Sequence, residues 1–246
     1  MSAGDVGADR GAELATRLSR VEERVRAACA AAGRARTDVT VVVVTKTYPA
    51  SDVALLAGLG VRDFGEARHP EAGRKIEECR AAGESALRWH FVGAVQTNKA
   101  AAVARYADLV HSVDRLRLVA ALDRAAQRAD RPLGCLVQVD LDEEGGRGRT
   151  GQRSGARGVD VRVVADAVAG ASWLSLRGVM AVAPADRDPA EAFERLASAA
   201  GAVARDHPEV GFISAGMSGD LEAAVAAGAT HLRVGRAILG ERPPLR

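Results

Sequence analysis

Eight short apolar segments, rich in valine, leucine and other strand formers, alternate with amphipathic stretches along most of this chain. Strands joined through helices run parallel, because each return to the sheet needs a helix-length connection. The pattern predicts strands near residues 39–45, 61–64, 88–92, 108–112, 134–140, 174–180, 211–214 and 230–234. Helical periodicity falls between them, at 51–58, 67–82, 97–105, 115–129, 159–169, 189–205 and 218–227. Eight strands are the number that closes a parallel barrel, and 246 residues is an ordinary length for one. The expected fold is α/β, a single (β/α)8 TIM barrel. A doubly wound open sheet is the alternative, weakened in its dinucleotide-binding form by the lack of G-x-G-x-x-G after the first strand.

An extra helix precedes the barrel. Leu14, Leu18, Val21, Val25 and Ala28 line one face of a stretch from Ala12 to Ala32, which Gly33 stops. Residues 1–11 are small and polar and are expected to be disordered, leaving 12–246 as the barrel domain. Asp188 before Pro189, with Glu191 following, is placed as a helix N-cap, and so are Asp114 and Ser218.

Composition narrows the function. Aromatics are only 3% of the residues, so Ala, Val and Leu must build the core. A formal charge of +2 gives no electrostatic case for nucleic acid. Cys29, Cys79 and Cys135 lie far apart and form neither a C-x-x-C pair nor a zinc set, so no metal is expected, and their sparseness fits a reducing compartment. The first residues lack the apolar core of a signal peptide, and no apolar stretch is long enough to cross a bilayer. A soluble cytoplasmic protein with no membrane partner is the expectation.

One charged residue stands out. Lys46 follows the run Val41 to Val44, which reads as a strand buried on both faces. A lysine there must reach water, a counter-charge or a reacting partner, and desolvation favours the neutral amine that forms a Schiff base. Snorkelling to solvent is the plainer reading of that segment alone.

In a barrel the chemistry sits at the C-terminal strand ends, which here carry Lys46, Gly65 and Glu66, His90, Ser112, Asp140, Met180, Ser214 and Gly235. The loops after strands seven and eight usually hold phosphate. The first of these is Ser214-Ala215-Gly216-Met217-Ser218-Gly219-Asp220, and the second begins at Gly235-Arg236. Arg233, near the end of the last strand, can face a ring nitrogen, a phosphate or the outer rim. His90 can touch a ligand, although a lone histidine in an apolar strand is more often a satisfied core residue. Asp63 and Glu66 can serve as acids or bases or as strand-end ion-pair partners. The Gly/Arg-rich segment 141–158 reads as a lid, a basic edge for an anion or a solvated insertion.

Several segments together resemble the YggS/PROSC family of pyridoxal 5′-phosphate (PLP)-binding proteins, the PLP homeostasis proteins. They are Val43-Val-Thr-Lys46-Thr-Tyr-Pro49, Asp63-Phe-Gly-Glu66, Trp89-His-Phe-Val-Gly93 with Gln96-Thr-Asn-Lys99, His111-Ser-Val-Asp114, Leu176-Arg-Gly-Val-Met180, Ser214 to Asp220 and Arg233-Val-Gly235. The resemblance implies a barrel like the N-terminal domain of alanine racemase. It implies that Lys46 carries PLP as an internal aldimine, that Ser214, Gly216, Met217, Ser218 and Gly235 surround the phosphate, and that Arg233 faces the pyridine nitrogen. The sequence departs from the family at Ala67, where an asparagine is common, and at Arg236, where a small hydroxyl residue is usual. Two readings of Arg236 stand: it binds phosphate by charge, or it points away.

The resemblance implies a role in vitamin B6 homeostasis without turnover, with PLP and apo PLP-dependent enzymes as partners and a monomer or weak dimer as the assembly. A small PLP-dependent amino-acid racemase is the alternative. Racemases place a second proton-transfer tyrosine on an additional C-terminal domain, which is expected to be absent from a chain ending at Arg246. A phosphate-ligand barrel without PLP is a third reading, which explains the mouth glycines but not the lysine.

Overall fold

The computed structural model describes residues 3–141, 156 and 159–241. The strands are β1 (Thr40–Val44), β2 (Asp63–Glu66), β3 (Arg88–Phe91), β4 (Leu109–Val113), β5 (Leu133–Gln138), β6 (Leu174–Met180), β7 (Phe212–Ser214) and β8 (His231–Val234). They close in sequence order into a barrel, and every neighbouring pair is parallel. The helices are α1 (Ala3–Ala31), α2 (Ala50–Gly58), α3 (Glu71–Ala81), α4 (Ala100–Val103), α5 (Leu116–Arg128), α6 (Val159–Ala169), α7 (Pro189–Asp206), α8 (Leu221–Ala226) and α9 (Arg236–Leu239).

Strand alternation divides the core. Val43, Phe64, Trp89, Phe91, Val110, Cys135, Val137, Val179, Leu232 and Val234 belong to the large apolar cluster between sheet and helices. The alternate positions turn into the barrel. Leu109, Leu136 and Met180, with Phe212, form a small separate apolar cluster there. The rest of the interior is unusually polar: Asp63, His90, His111, Ser214, His231 and Arg233 are all buried.

Several expected boundaries move. The helix α1 begins at Ala3, so residues 3–11 are helical where a disordered start was expected. A fork from Arg10 to Asp52 (3.1 and 2.6 Å), extended to the Leu239 carbonyl at 3.0 Å, ties this turn to α2 and α9. Farther along, Arg24 donates to the Ser218 carbonyl at 3.1 Å and to Glu222, and Arg34 donates to the Val225 and Ala229 carbonyls. The cap at Asp188 is present, its carboxylate accepting from Ala190 N at 2.9 Å. The caps placed at Asp114 and Ser218 are not. Arg115 and Asp220 stand at those helix starts, and Asp114 instead pairs with Arg115. The strand β2 begins at Asp63 and runs to Glu66, two positions past its expected end, so Glu66 lies within it rather than beyond it. The stretch expected as one helix over 97–105 is a 3-10 turn, Thr97–Lys99, followed by the short α4.

Most of the Gly/Arg-rich segment 141–158 lies outside the described residues. Ala156 returns beside β5, with its amide donating to the Gln138 carbonyl at 2.7 Å. Among the described residues no helix is long and apolar enough to cross a membrane.

Candidate cofactor site

Lys46 sits in the turn just beyond β1, half-buried, and its main chain is held from both sides by α3. Lys75 donates to the Thr45 carbonyl at 2.7 Å, and Glu71 accepts from the Thr47 amide. These two α3 residues are one helical turn apart, which is why they reach both ends of the same short segment. Thr47 between them adopts φ of 73°, a conformation that costs a β-branched residue energy and persists only where the surroundings enforce it.

Behind this turn lies a buried ion pair. Lys75 contacts Glu66 Oε1 at 2.5 Å, and the Thr45 hydroxyl donates to the same oxygen at 2.7 Å. Burial pushes the Glu66 carboxyl above its usual range, opposed by Lys75 and Thr45. Glu66 Oε2 is buried without a hydrogen-bond partner.

Arg233 occupies the interior on β8, next to β1, with Val42 its register partner. Its terminal nitrogens donate to Ser214 Oγ at 2.7 Å and to the Ala181 carbonyl at 2.8 Å, both neutral oxygens. Burial lowers its pKa from 12.5 to about 10, with Asp220 opposing. Ser214 Oγ also meets His111 Nδ1 at 2.9 Å. Beyond it, His111 Nε2 meets His90 Nδ1 at 2.9 Å, and His90 Nε2 meets Asp63 Oδ1 at 3.0 Å. Asp63 is held in turn by Arg88, at 2.7 and 2.6 Å.

The loop after β7 folds tightly. Gly216 has φ of 85°, and a Cβ there would lie 2.6 Å from Ala224 Cβ and 2.8 Å from Leu232 Cδ2. Its carbonyl accepts from Arg233 N at 2.9 Å. The Met217 amide donates to Asp220 Oδ1 at 2.5 Å, while the Met217 side chain is exposed. Ser218 Oγ accepts from Ala237 N at 3.4 Å, joining this loop to the one after β8. Gly235 lies against the end of β1, where a Cβ would be 3.2 Å from the Val44 carbonyl. Arg236 is exposed at the start of α9.

The structure therefore gathers Lys46, Arg233, Gly235 and the Ser214–Ser218 loop at the C-terminal end of the barrel. Two expected contacts have different surroundings. His90 lies inside the barrel with both ring nitrogens taken, the core position that its apolar strand favours. Ser214 turns its hydroxyl inward to Arg233 and His111. Sequence reasoning missed the roles of Glu71 and Lys75, and of His111 and His231. The histidines were detectable as polar residues at inward-facing strand positions, whereas the α3 pair carries no signal beyond a helix-face lysine. Among the described residues no His, Cys, Asp and Glu side chains are grouped to hold a metal ion.

The interior imidazoles make stability acid-sensitive. Burial pushes His231 down from 6.5 to about 4, and burial also holds His111 well below its ordinary value. A histidine with a depressed folded pKa takes its proton more readily in the unfolded chain. Stability is then intact above 6.5 and falls as pH drops toward about 4. For His231 alone the loss is roughly 3 kcal/mol. Burial would raise Asp63, but hydrogen bonds from His90 and Arg88 outweigh it, so its contribution is lost only at lower pH still. Urea unfolding near neutrality and near pH ~4 should show this loss, reduced in His231→Asn. An equal loss in that variant would contradict the assignment.

Residues 16–243 match the family model described as alanine racemase, N-terminal domain. The pyridoxal phosphate homeostasis protein of Mycobacterium tuberculosis is 43% identical over 247 residues, covering 95% of both chains. The chain belongs to the pyridoxal phosphate homeostasis protein family. The Escherichia coli protein of the same name is 35% identical, covering 94% of this chain and 97% of its relative. Among solved structures, PipY of Synechococcus elongatus with PLP bound superposes with a TM-score of 0.77 at 28% identity. That match covers 92% of this chain and 100% of PipY. The homeostasis family thus shares its barrel with the racemases, and the Mycobacterium tuberculosis and Escherichia coli relatives are named for homeostasis.

Proposed function

We propose that this protein binds PLP at the mouth of its barrel, with Lys46 as the covalent attachment point, and holds the cofactor for intracellular vitamin B6 homeostasis without turning over a substrate. The observation that carries this reading is the pairing of two unusual cations on adjacent strands. Lys46 is held just past the end of β1, and on the neighbouring β8 Arg233 is a buried guanidinium whose terminal nitrogens, among the described residues, meet neutral oxygens.

The residues present fit the cofactor. PLP supplies an aldehyde that condenses reversibly with a primary amine. A guanidinium partnered by neutral acceptors suits an unprotonated pyridine nitrogen, which weakens the ring as an electron sink and favours storage over carbanion chemistry. The tight loop through Gly216, Met217 and Ser218, together with Gly235, would hold the phosphate, and the exposed Arg236 adds positive charge at that corner. Ser214 acts in this reading by orienting Arg233. The recipients that the role calls for are cofactor-free PLP-dependent enzymes in the cytoplasm, met by a monomer or weak dimer.

The tyrosines speak against the racemase alternative. Tyr48 donates its hydroxyl to the Gly240 carbonyl at 2.8 Å. Tyr106 is buried, and desolvation raises its pKa, which opposes a proton-transfer role. Neither offers the second base that racemisation needs.

The chain's lysine content makes the attachment testable, because there are only three: Lys46, Lys75 and Lys99. Borohydride reduction of the PLP-loaded protein followed by peptide mapping should place the modification on Lys46. Stable label on Lys75 or Lys99 instead would overturn the assignment, and alanine racemisation above the rate of free PLP would overturn the non-catalytic reading.

A further inference from the structure

The polar line through the barrel has ends of fixed character. At the mouth, Arg233 can only donate. At the other end, the Asp63 carboxylate is gripped by Arg88 at 2.7 and 2.6 Å and can only accept. Between them stand Ser214, His111 and His90, linked at 2.7, 2.9, 2.9 and 3.0 Å. With both imidazoles neutral, one arrangement of protons satisfies every link. His90 donates from Nε2 to Asp63 and must accept at Nδ1. His111 therefore donates from Nε2 to His90 and accepts at Nδ1. The Ser214 hydroxyl then donates to His111, and its oxygen is left to accept from Arg233. Reversing the imidazoles would set the unprotonated His90 Nε2 against a carboxylate oxygen.

We infer that His111 and His90 are positioning residues for Arg233, forming a one-way hydrogen-bond line from Asp63 that keeps the Ser214 oxygen as an acceptor and so fixes the guanidinium. Two consequences follow. The Ser214 hydroxyl proton is committed to His111, so this serine does not donate it to a phosphate. The orientation of the group offered to a bound ring nitrogen is set from the far side of the barrel interior. The positions fit this division, since His90, His111, Ser214 and Arg233 are all buried.

The directional part of this inference stands independently of the ligand, whereas its consequence for binding rests on the PLP reading above. The first test is therefore made on cofactor-free wild-type protein. Long-range 15N–1H spectra well above the ordinary imidazole pKa of about 6.5 should show His90 and His111 both protonated at Nε2 and bare at Nδ1. An Nδ1–H form at either ring overturns the proposal.

The second test is PLP titration of His111→Leu and His111→Gln. The leucine variant cuts the line and should weaken PLP binding roughly tenfold, with a changed visible spectrum. The glutamine variant keeps one acceptor and one donor and should stay within about threefold of wild type. Wild-type affinity and spectrum in His111→Leu overturn the positioning role. Should that variant fail to fold, Ser214→Ala interrupts the same line with the loss of one atom, and wild-type binding there has the same meaning. A wild type that binds no PLP would remove the functional reading while leaving the spectra to decide the direction of the line.

Discussion

Lys46→Ala is expected to lose the visible absorbance of bound PLP, with affinity falling by at least about a hundredfold, or ~3 kcal/mol. The proposed covalent anchor disappears, while Arg233 and the loop proposed to hold the phosphate remain. The fold should survive. Lys46 is half-buried at a strand end, and both neighbouring peptide groups are held by α3 through hydrogen bonds that do not involve the Lys46 side chain. Substitution of such a side chain usually changes stability by less than about 1 kcal/mol. Thermal unfolding separates the two effects. Wild type should melt higher in the presence of PLP, because a ligand that binds only the folded chain stabilises it. The variant should melt near the cofactor-free wild type whether or not PLP is added. A retained visible band, or an equal PLP-dependent rise in melting temperature, would contradict the attachment.

Lys75→Met should destabilise the protein by ~3–5 kcal/mol near neutral pH. The lysine and Glu66 are 6% and 2% exposed, so deleting the cation strands a carboxylate in the interior. Glu66 can respond only by taking a proton, which raises further a pKa that burial already raises. The sign follows from linkage. A carboxyl whose folded pKa lies above its unfolded value loses stability as pH rises through that interval, so the variant's deficit relative to wild type should shrink on acidification. Combining Lys75→Met with Glu66→Gln should recover much of the loss, since the stranded charge is gone. Denaturant midpoints of both variants at two pH values decide the point. A deficit independent of pH, or one that the double variant deepens, would mean that lost packing rather than the stranded carboxylate is responsible. The same variant should slow or weaken PLP uptake, because the Thr45 carbonyl loses the ammonium that holds the Lys46 turn.

Much of the barrel was legible because its signal is local. The run Val41 to Val44 announces a strand, and the Asp188-Pro189 start announces a helix, each within a few residues. The site's outline followed from topology, since strand ends in a closed parallel barrel converge wherever they lie in the chain. What escaped depends on side chains distant in sequence. Lys75 meets the Thr45 carbonyl across 30 positions, and His111 meets Ser214 across 103. Periodicity marks which face a residue occupies but not which partner stands opposite. The extension of β2 to Glu66 illustrates the limit: both carboxylates are buried, and their partners, Arg88 and His90 for Asp63, Lys75 and Thr45 for Glu66, stand on other elements. Ser218 misled for a related reason, since its hydroxyl is used by Ala237 in another loop rather than by the helix that follows it.

The long first helix also has a part in the site. Arg24 reaches the Ser218 carbonyl and Glu222, while Arg34, just past the helix, binds the Val225 and Ala229 carbonyls at the end of α8. The α1 segment thus works as a splint across the corner proposed to hold the phosphate, adding an outside hold to a loop that β8 and the loop after it grip from within. A shortened chain lacking that splint could still close its eight staves and yet grasp a phosphate slackly, so the two properties can be lost separately.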